Sequence, residues 1–147
     1  MMRWGDRNKD LEMARVENWE RLLAAAIDTA WARPFVWGLH DCSTFSFQTR
    51  MALTGGEDFA DLWRGRYTTA LGGARVMRRL GWASIEAMGR ALLGEPRPAV
   101  LLAQRGDIVL ADTGLGFGIC NGGTAVGIAP EGLVTVPLTS CQLAWPN

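Results

Sequence analysis

Gly106-Asp107-Ile108-Val109-Leu110 is the stretch at which the chain changes period. Upstream of it, apolar residues recur every three or four positions. From it onward, short runs of strand-forming residues alternate with turn signals. The stretch itself reads as a turn feeding a strand. Further strands are expected at 115–120, 124–129 and 133–136. Asn121-Gly122-Gly123 between two of them is a hairpin turn, since such turns need positive φ, and Pro130-Glu131-Gly132 is a second turn. Pro137-Leu138-Thr139-Ser140 reads as a closing turn or short helix that ends near Trp145.

Upstream, residues 1–9 form a polar arm. Trp19, Leu22, Leu23, Ala26, Ile27, Ala30 and Trp31 follow helical spacing, so a helix is expected from about Asp10 to Ala32, with Asn18 able to cap its later part. Arg33-Pro34 ends it, because a residue before proline disfavours the α region. Helices are also expected at 44–53, stopped by Thr54-Gly55-Gly56, at 57–64, at 68–80, and from a Ser84 cap to Leu93. Helices fill the first two thirds and an antiparallel meander fills the last. This segregation predicts an α+β fold, with N-terminal helices packed on a C-terminal antiparallel sheet. No repeat or linker divides the 147 residues, so one domain over 1–147 is expected.

Composition narrows the function classes. With 48% hydrophobic and 20% charged residues the chain is no disordered tail. Fifteen basic residues balance fifteen acidic ones, which argues against a globally basic nucleic-acid binder. No apolar run is long enough for a membrane span, and the N-terminus shows no secretory h-region. Three cysteines at wide spacing (Cys42, Cys120, Cys141) are read as reduced thiols rather than a disulfide framework. Eight arginines and two acids lie between Arg64 and Arg105, read as a solvated helical face. Of seven tryptophans, Trp19 and Trp31 sit on the apolar stripe and are expected in the core. Trp4, Trp63 and Trp145 lie in less periodic segments, where exposed Trp and Arg together would suit an interface. There is one histidine, His40.

Chemistry concentrates in Phe35-Val36-Trp37-Gly38-Leu39-His40-Asp41-Cys42-Ser43. Cys42 stands where a helix begins. Free N–H groups and about half a positive charge from the helix dipole would favour its thiolate, the nucleophilic form. This segment, with Arg105-Gly106-Asp107-Ile108-Val109-Leu110, resembles the NlpC-type cysteine peptidases, a papain-like superfamily of cell-wall hydrolases. The resemblance covers roughly Trp19 to Trp145. It is closer still to small phage and prophage proteins sharing Trp-Gly-x-His-Asp-Cys, an Arg-Gly-x-Tyr element (Arg64-Gly65-Arg66-Tyr67) and a Gly132–Leu138 ending, followed by a Trp. Those proteins are similar to tail-tip components.

The resemblance implies a papain-like fold with Cys42 as nucleophile and a base histidine on the second strand. The matching stretch is Gly116-Phe117-Gly118-Ile119-Cys120, so the base position holds Gly116. His40 could serve instead by approaching the thiol, and Asp41 is a weaker candidate because of its low ordinary pKa. His40, Cys42, Cys120 and Cys141 have ligand chemistry for zinc or an iron–sulfur cluster, but no pair has zinc-ribbon spacing, so no metal and no cofactor is expected. Structural roles stand beside these: Asp41 capping the helix, His40 bonding a turn carbonyl, and the cysteines as small core residues.

Two functions follow from the resemblance. One is a structural tail-tip or baseplate component with a degenerate active site, acting in the virion after synthesis in the bacterial cytoplasm. Its partners would be hub, distal-tail and fibre-bearing proteins. The other is a cysteine peptidase or amidase that cuts peptidoglycan peptides during DNA entry. The missing base places the structural role first.

Overall fold

The computed structural model describes residues 15–112 and 116–147. The polar arm, Trp4, the Asp10–Ala14 part of the expected first helix and Leu115 lie outside the described residues. Among the described residues four helices precede a five-stranded antiparallel sheet: α1 (Trp19–Ala32), α2 (Cys42–Thr54), α3 (Ala70–Arg79), α4 (Ile85–Leu93), then β1 (Ile108–Ala111), β2 (Phe117–Cys120), β3 (Thr124–Ala129), β4 (Gly132–Pro137) and β5 (Cys141–Trp145). The fold is α+β, with helices first and sheet second.

Local signals set most boundaries. Asp41, Thr69 and Ser84 cap α2, α3 and α4 by accepting the backbone N–H three residues on. Gly55 ends α2 at φ 65°, a left-handed position that suits glycine. α1 is shorter than its periodicity suggests. Arg15–Asn18 are not helical, and Asn18 sits at φ 64° with no side-chain cap bond. The reason is tertiary: Val16 N–H bonds the Leu53 carbonyl at 2.8 Å, and Arg15 is drawn to the sheet. The expected 57–64 helix is a single 3-10 turn, Phe59–Leu62.

The strand order is β4-β3-β2-β1-β5. The first four strands form the expected meander. The fifth was expected as a turn or helix and is instead a strand paired with β1 (Ile108 with Trp145, Leu110 with Leu143). Only its start, Leu138–Ser140, is a 3-10 turn. Cys-Gln-Leu-Ala-Trp has weak strand propensity of its own; pairing with a partner more than 30 residues away makes it a strand.

α2 packs on β1, β2 and β3, and α1 lies across α2 and reaches β4. One sheet face presents Ile108, Leu110, Phe117, Ile119 and Trp145 to the helices. The other buries Val109, Cys120, Ala125, Cys141 and Ala144 beneath Leu138 and Val100. Each large side chain buried here contributes about 1.5–3 kcal/mol.

Three tryptophans depart from expectation. Trp31 is 67% exposed, while Trp63 and Trp145 are fully buried. On α1 the inward stripe is Trp19, Leu23, Ile27 and Ala30, which turns Trp31 outward. Trp145 packs so closely on α4 that a Cβ at Gly89 would stand 2.6 Å from its ring.

Gly106-Asp107 is a structural knot. Asp107 is fully buried. Arg15 reaches one of its oxygens at 3.2 Å, while Arg97, at 2.6 Å, and the Gln104 N–H, at 2.8 Å, reach the other. Arg15 also donates to the Arg105 carbonyl at 2.7 Å and to the Asn147 carbonyl at 3.2 Å, and stacks on Trp19. The knot joins the segment before α1, the loop before β1 and the chain's last residue.

Candidate functional site

The turn before α2 is built first by backbone. Val36 and His40 exchange hydrogen bonds at 3.0 and 2.8 Å, closing a tight loop through Gly38 at φ 78°. A Cβ at Gly38 would lie 2.8 Å from the Tyr67 carbonyl oxygen, so glycine is required both for conformation and for close approach. The Gly38 carbonyl accepts from Gly65 N–H at 3.1 Å. The Trp37–Cys42 and Arg64–Tyr67 elements therefore meet.

Asp41 is the hinge of this meeting and is 2% exposed. One carboxylate oxygen accepts from Thr44 N–H at 2.9 Å. The other accepts from Gly38 N–H at 2.8 Å and from the Tyr67 hydroxyl. Burial and the adjacent carboxylate push the Tyr67 phenol far above its ordinary range, which keeps it a donor. The Asp41 oxygens are thus engaged by structural donors, which leaves the carboxylate poorly placed to take a proton from a thiol.

Cys42 is the first residue of α2. It lines a cleft of about 240 Å³ between the α2 start, α3 and α4, walled by Trp37, Tyr67, Met77, Trp82, Ile85 and Met88, with Arg78 on its border. The helix start was expected to favour thiolate. Instead burial, with Asp41 adding to it, raises the thiol pKa, although Ser43 and the Phe117 backbone oppose that. Burial is the larger cause, and the carboxylate next to the sulfur acts in the same direction, against the field that the helix end supplies.

Gly116, where the resemblance expects a base, lies directly against this sulfur. A Cβ there would stand 2.5 Å from Cys42 Sγ, and the residue has φ 79°. The sheet comes so close to the thiol at this point that no side chain fits between them.

His40 opens elsewhere. It is 2% exposed and borders a second cavity, about 280 Å³, between α1 and α2, with Leu22, Ala26, Arg33, Phe45 and Thr49. Its ring meets Phe45 edge to face at 6.2 Å. Its Nε2 is buried with no hydrogen-bond partner among the described residues. Burial, reinforced by Arg33, lowers its pKa, so the ring is neutral near pH 7. His40 and Cys42 are two residues apart in sequence, yet they line different cavities.

Cys120 does not approach Cys42. It belongs to the buried cluster on the opposite sheet face from Phe117 and Ile119, as strand alternation requires, and shares that cluster with Cys141. Among the described residues no group of three or more His, Cys, Asp or Glu could hold a metal ion.

The arginine-rich stretch divides in two. Arg64 grips Asp58 through two bonds, Arg90 pairs with Glu86 and Glu95, Arg97 with Asp107, and Arg105 bonds Asn121. Arg66, Arg75, Arg78 and Arg79 are exposed and pair with no carboxylate among the described residues.

Reasoning from sequence did not single out Tyr67 and Trp63 as parts of the site. Trp63 Nε1 donates to Thr44 Oγ1 at 3.2 Å, and Tyr67 holds Asp41. The Arg64–Tyr67 element was the available signal. No curated protein and no solved structure significantly matches this chain. A family profile described as a domain of unknown function, DUF6950, matches residues 14–147. That span takes in every residue of the cleft, and the chain belongs to this family.

Proposed function

We propose that this protein is an assembly component of a phage tail tip or baseplate, with a peptidase-type site that binds without cutting. One observation carries the loss of chemistry: Gly116 presses on the Cys42 sulfur, and the only histidine lines another cavity. A papain-like thiol needs a base within hydrogen-bond reach, and among the described residues no histidine lines the Cys42 cleft. The motif resemblance of Trp37–Cys42, Arg64–Tyr67 and Gly132–Leu138 supports the tail assignment. Hub, distal-tail and fibre-bearing proteins are the partners this reading implies, with the virion as its location.

A second reading, hydrolysis of peptidoglycan peptides with Cys42 as nucleophile, draws on the thiol's place in an open cleft. Incubating wild type and Cys42→Ala with purified peptidoglycan separates the two. The binding reading expects identical, background release of peptides from both. Release that depends on Cys42 would overturn it. For the tail assignment, the chain is expected to co-purify with particles and to bind tail-tip proteins. A chain that is absent from particles and stays monomeric beside those proteins would overturn that part.

A further inference from the structure

The Cys42 cleft carries features that a dead active site does not need. Its walls are apolar and aromatic: Trp37, Tyr67, Met77, Trp82, Ile85 and Met88. Its volume, about 240 Å³, falls below the roughly 300–1,000 Å³ of small-molecule sites. It is sized for one or two bulky side chains rather than a whole cofactor. Its only carboxylate, Asp41, is buried and engaged by three donors. Arg78 borders the cleft, exposed and without a carboxylate partner among the described residues.

We infer that this cleft docks an acidic segment of a neighbouring protein, anchored by a bulky apolar side chain between Trp82 and Met77 and held by carboxylates at Arg78. The charge complementarity lies at the mouth: among the described residues Arg78 is an exposed cation there without a carboxylate partner, while Asp41 is buried and held by three donors, so a carboxylate of an acidic partner is attracted to Arg78 and a basic partner is not. The apolar walls supply the desolvated centre that a short segment needs for affinity, and Arg78 stands at its polar rim. The inference rests on the cleft binding rather than cutting.

The full chain is titrated with a fluorescein-labelled Glu-Asp-Leu-Phe-Asp-Glu peptide and with its Lys-Lys-Leu-Phe-Lys-Lys counterpart. Anisotropy reports binding. Alkylation of Cys42 by iodoacetamide, located by peptide mass mapping, reports occupancy of the cleft. Cys120 and Cys141 are buried and serve as internal controls. The acidic probe is expected to bind, to slow Cys42 alkylation, and to remain uncut. Arg78→Glu, an exposed change that leaves the fold intact, is expected to weaken it about tenfold, and added salt to weaken it further. Equal behaviour of the two probes, no protection of Cys42 at millimolar peptide, or indifference to Arg78→Glu overturns the inference and leaves the non-catalytic reading standing. Cleavage of the probe that disappears in Cys42→Ala overturns that reading itself.

Discussion

Asp41 and Asp107 are both buried carboxylates, and the molecule compensates them in different ways. Asp107 is met by two cations, Arg15 and Arg97, and by one backbone N–H. Asp41 is met only by neutral donors: two backbone N–H groups and the Tyr67 hydroxyl. Two arginines neutralise a charge and join distant chain segments. Neutral donors fix position while leaving the negative field in place, and Cys42 feels it. The knot at Asp107 is a stability device; the turn at Asp41 sets the electrostatics of a cleft. The comparison breaks if the two sites respond alike to loss of the carboxylate.

The largest effect belongs to Asp107→Ala. Two nearly buried arginines would lose their counter-charge, and removing one partner of a buried ion pair costs about 3–5 kcal/mol. Urea unfolding should show a midpoint shift of that size. A cost under about 1 kcal/mol would mean that water replaces the carboxylate and that the knot is not what ties the segment before α1 to the loop before β1.

Asp41→Ala should cost somewhat less, about 3 kcal/mol, from the lost cap and the stranded Tyr67 and Gly38 donors. The sharper test is Asp41→Asn, which keeps the shape and removes the charge. The thiol pKa of Cys42 should fall, so its iodoacetamide rate should climb at lower pH than in wild type. An unmoved rate profile would mean that burial alone sets the thiol.

The contrast also marks what the sequence could tell. Caps and turns were legible where the information is local: Asp41 and Ser84 each bond three residues ahead, and Asn121-Gly122-Gly123 turns where its glycines allow. β5 was not legible, because its strand identity lies in β1. Trp31 left its expected place because periodicity gives a stripe without saying which edge of it faces the core, and Trp145 is buried because β5 pairs with β1. At the site, Cys42 at a helix start and Gly116 beside it follow from motif order. That burial, with Asp41 adding to it, would outweigh the helix's effect on the thiol, and that Tyr67 would be Asp41's partner, needs the tertiary contact between two motifs.

Gly116→Ala asks how tightly the cleft turn is packed beside the better-neutralised knot. Positive φ costs an alanine roughly 1 kcal/mol, and the overlap with Cys42 Sγ adds about as much or more, giving about 2 kcal/mol in all. Combining it with Cys42→Ala should recover the overlap part, since the Cys42 Cβ lies at an ordinary 3.5 Å. Additive costs in the double variant would mean that the sulfur is not the obstacle.

The smallest effect is silent at neutral pH and comes from His40, which sits next to Asp41 in sequence but opens on the other cavity. Its pKa is lowered from the ordinary 6.5 by burial and by Arg33. The unfolded chain therefore takes up a proton below about pH 6.5 that the folded chain refuses. Stability rises with pH wherever the unfolded state binds more protons, so acidification through that window destabilises, by about 1.4 kcal/mol for each unit of depression. The loss levels off below the folded pKa. His40→Phe, read against wild type in urea titrations from pH 7 to pH 5, should flatten this slope while leaving the Asp107 contribution intact. The two carboxylate sites would then differ in a second way: the turn at Asp41, unlike the knot, is flanked by a histidine that withdraws stability as protons arrive. Parallel curves for His40→Phe and wild type would place the acid sensitivity elsewhere and reduce the contrast to charge compensation alone.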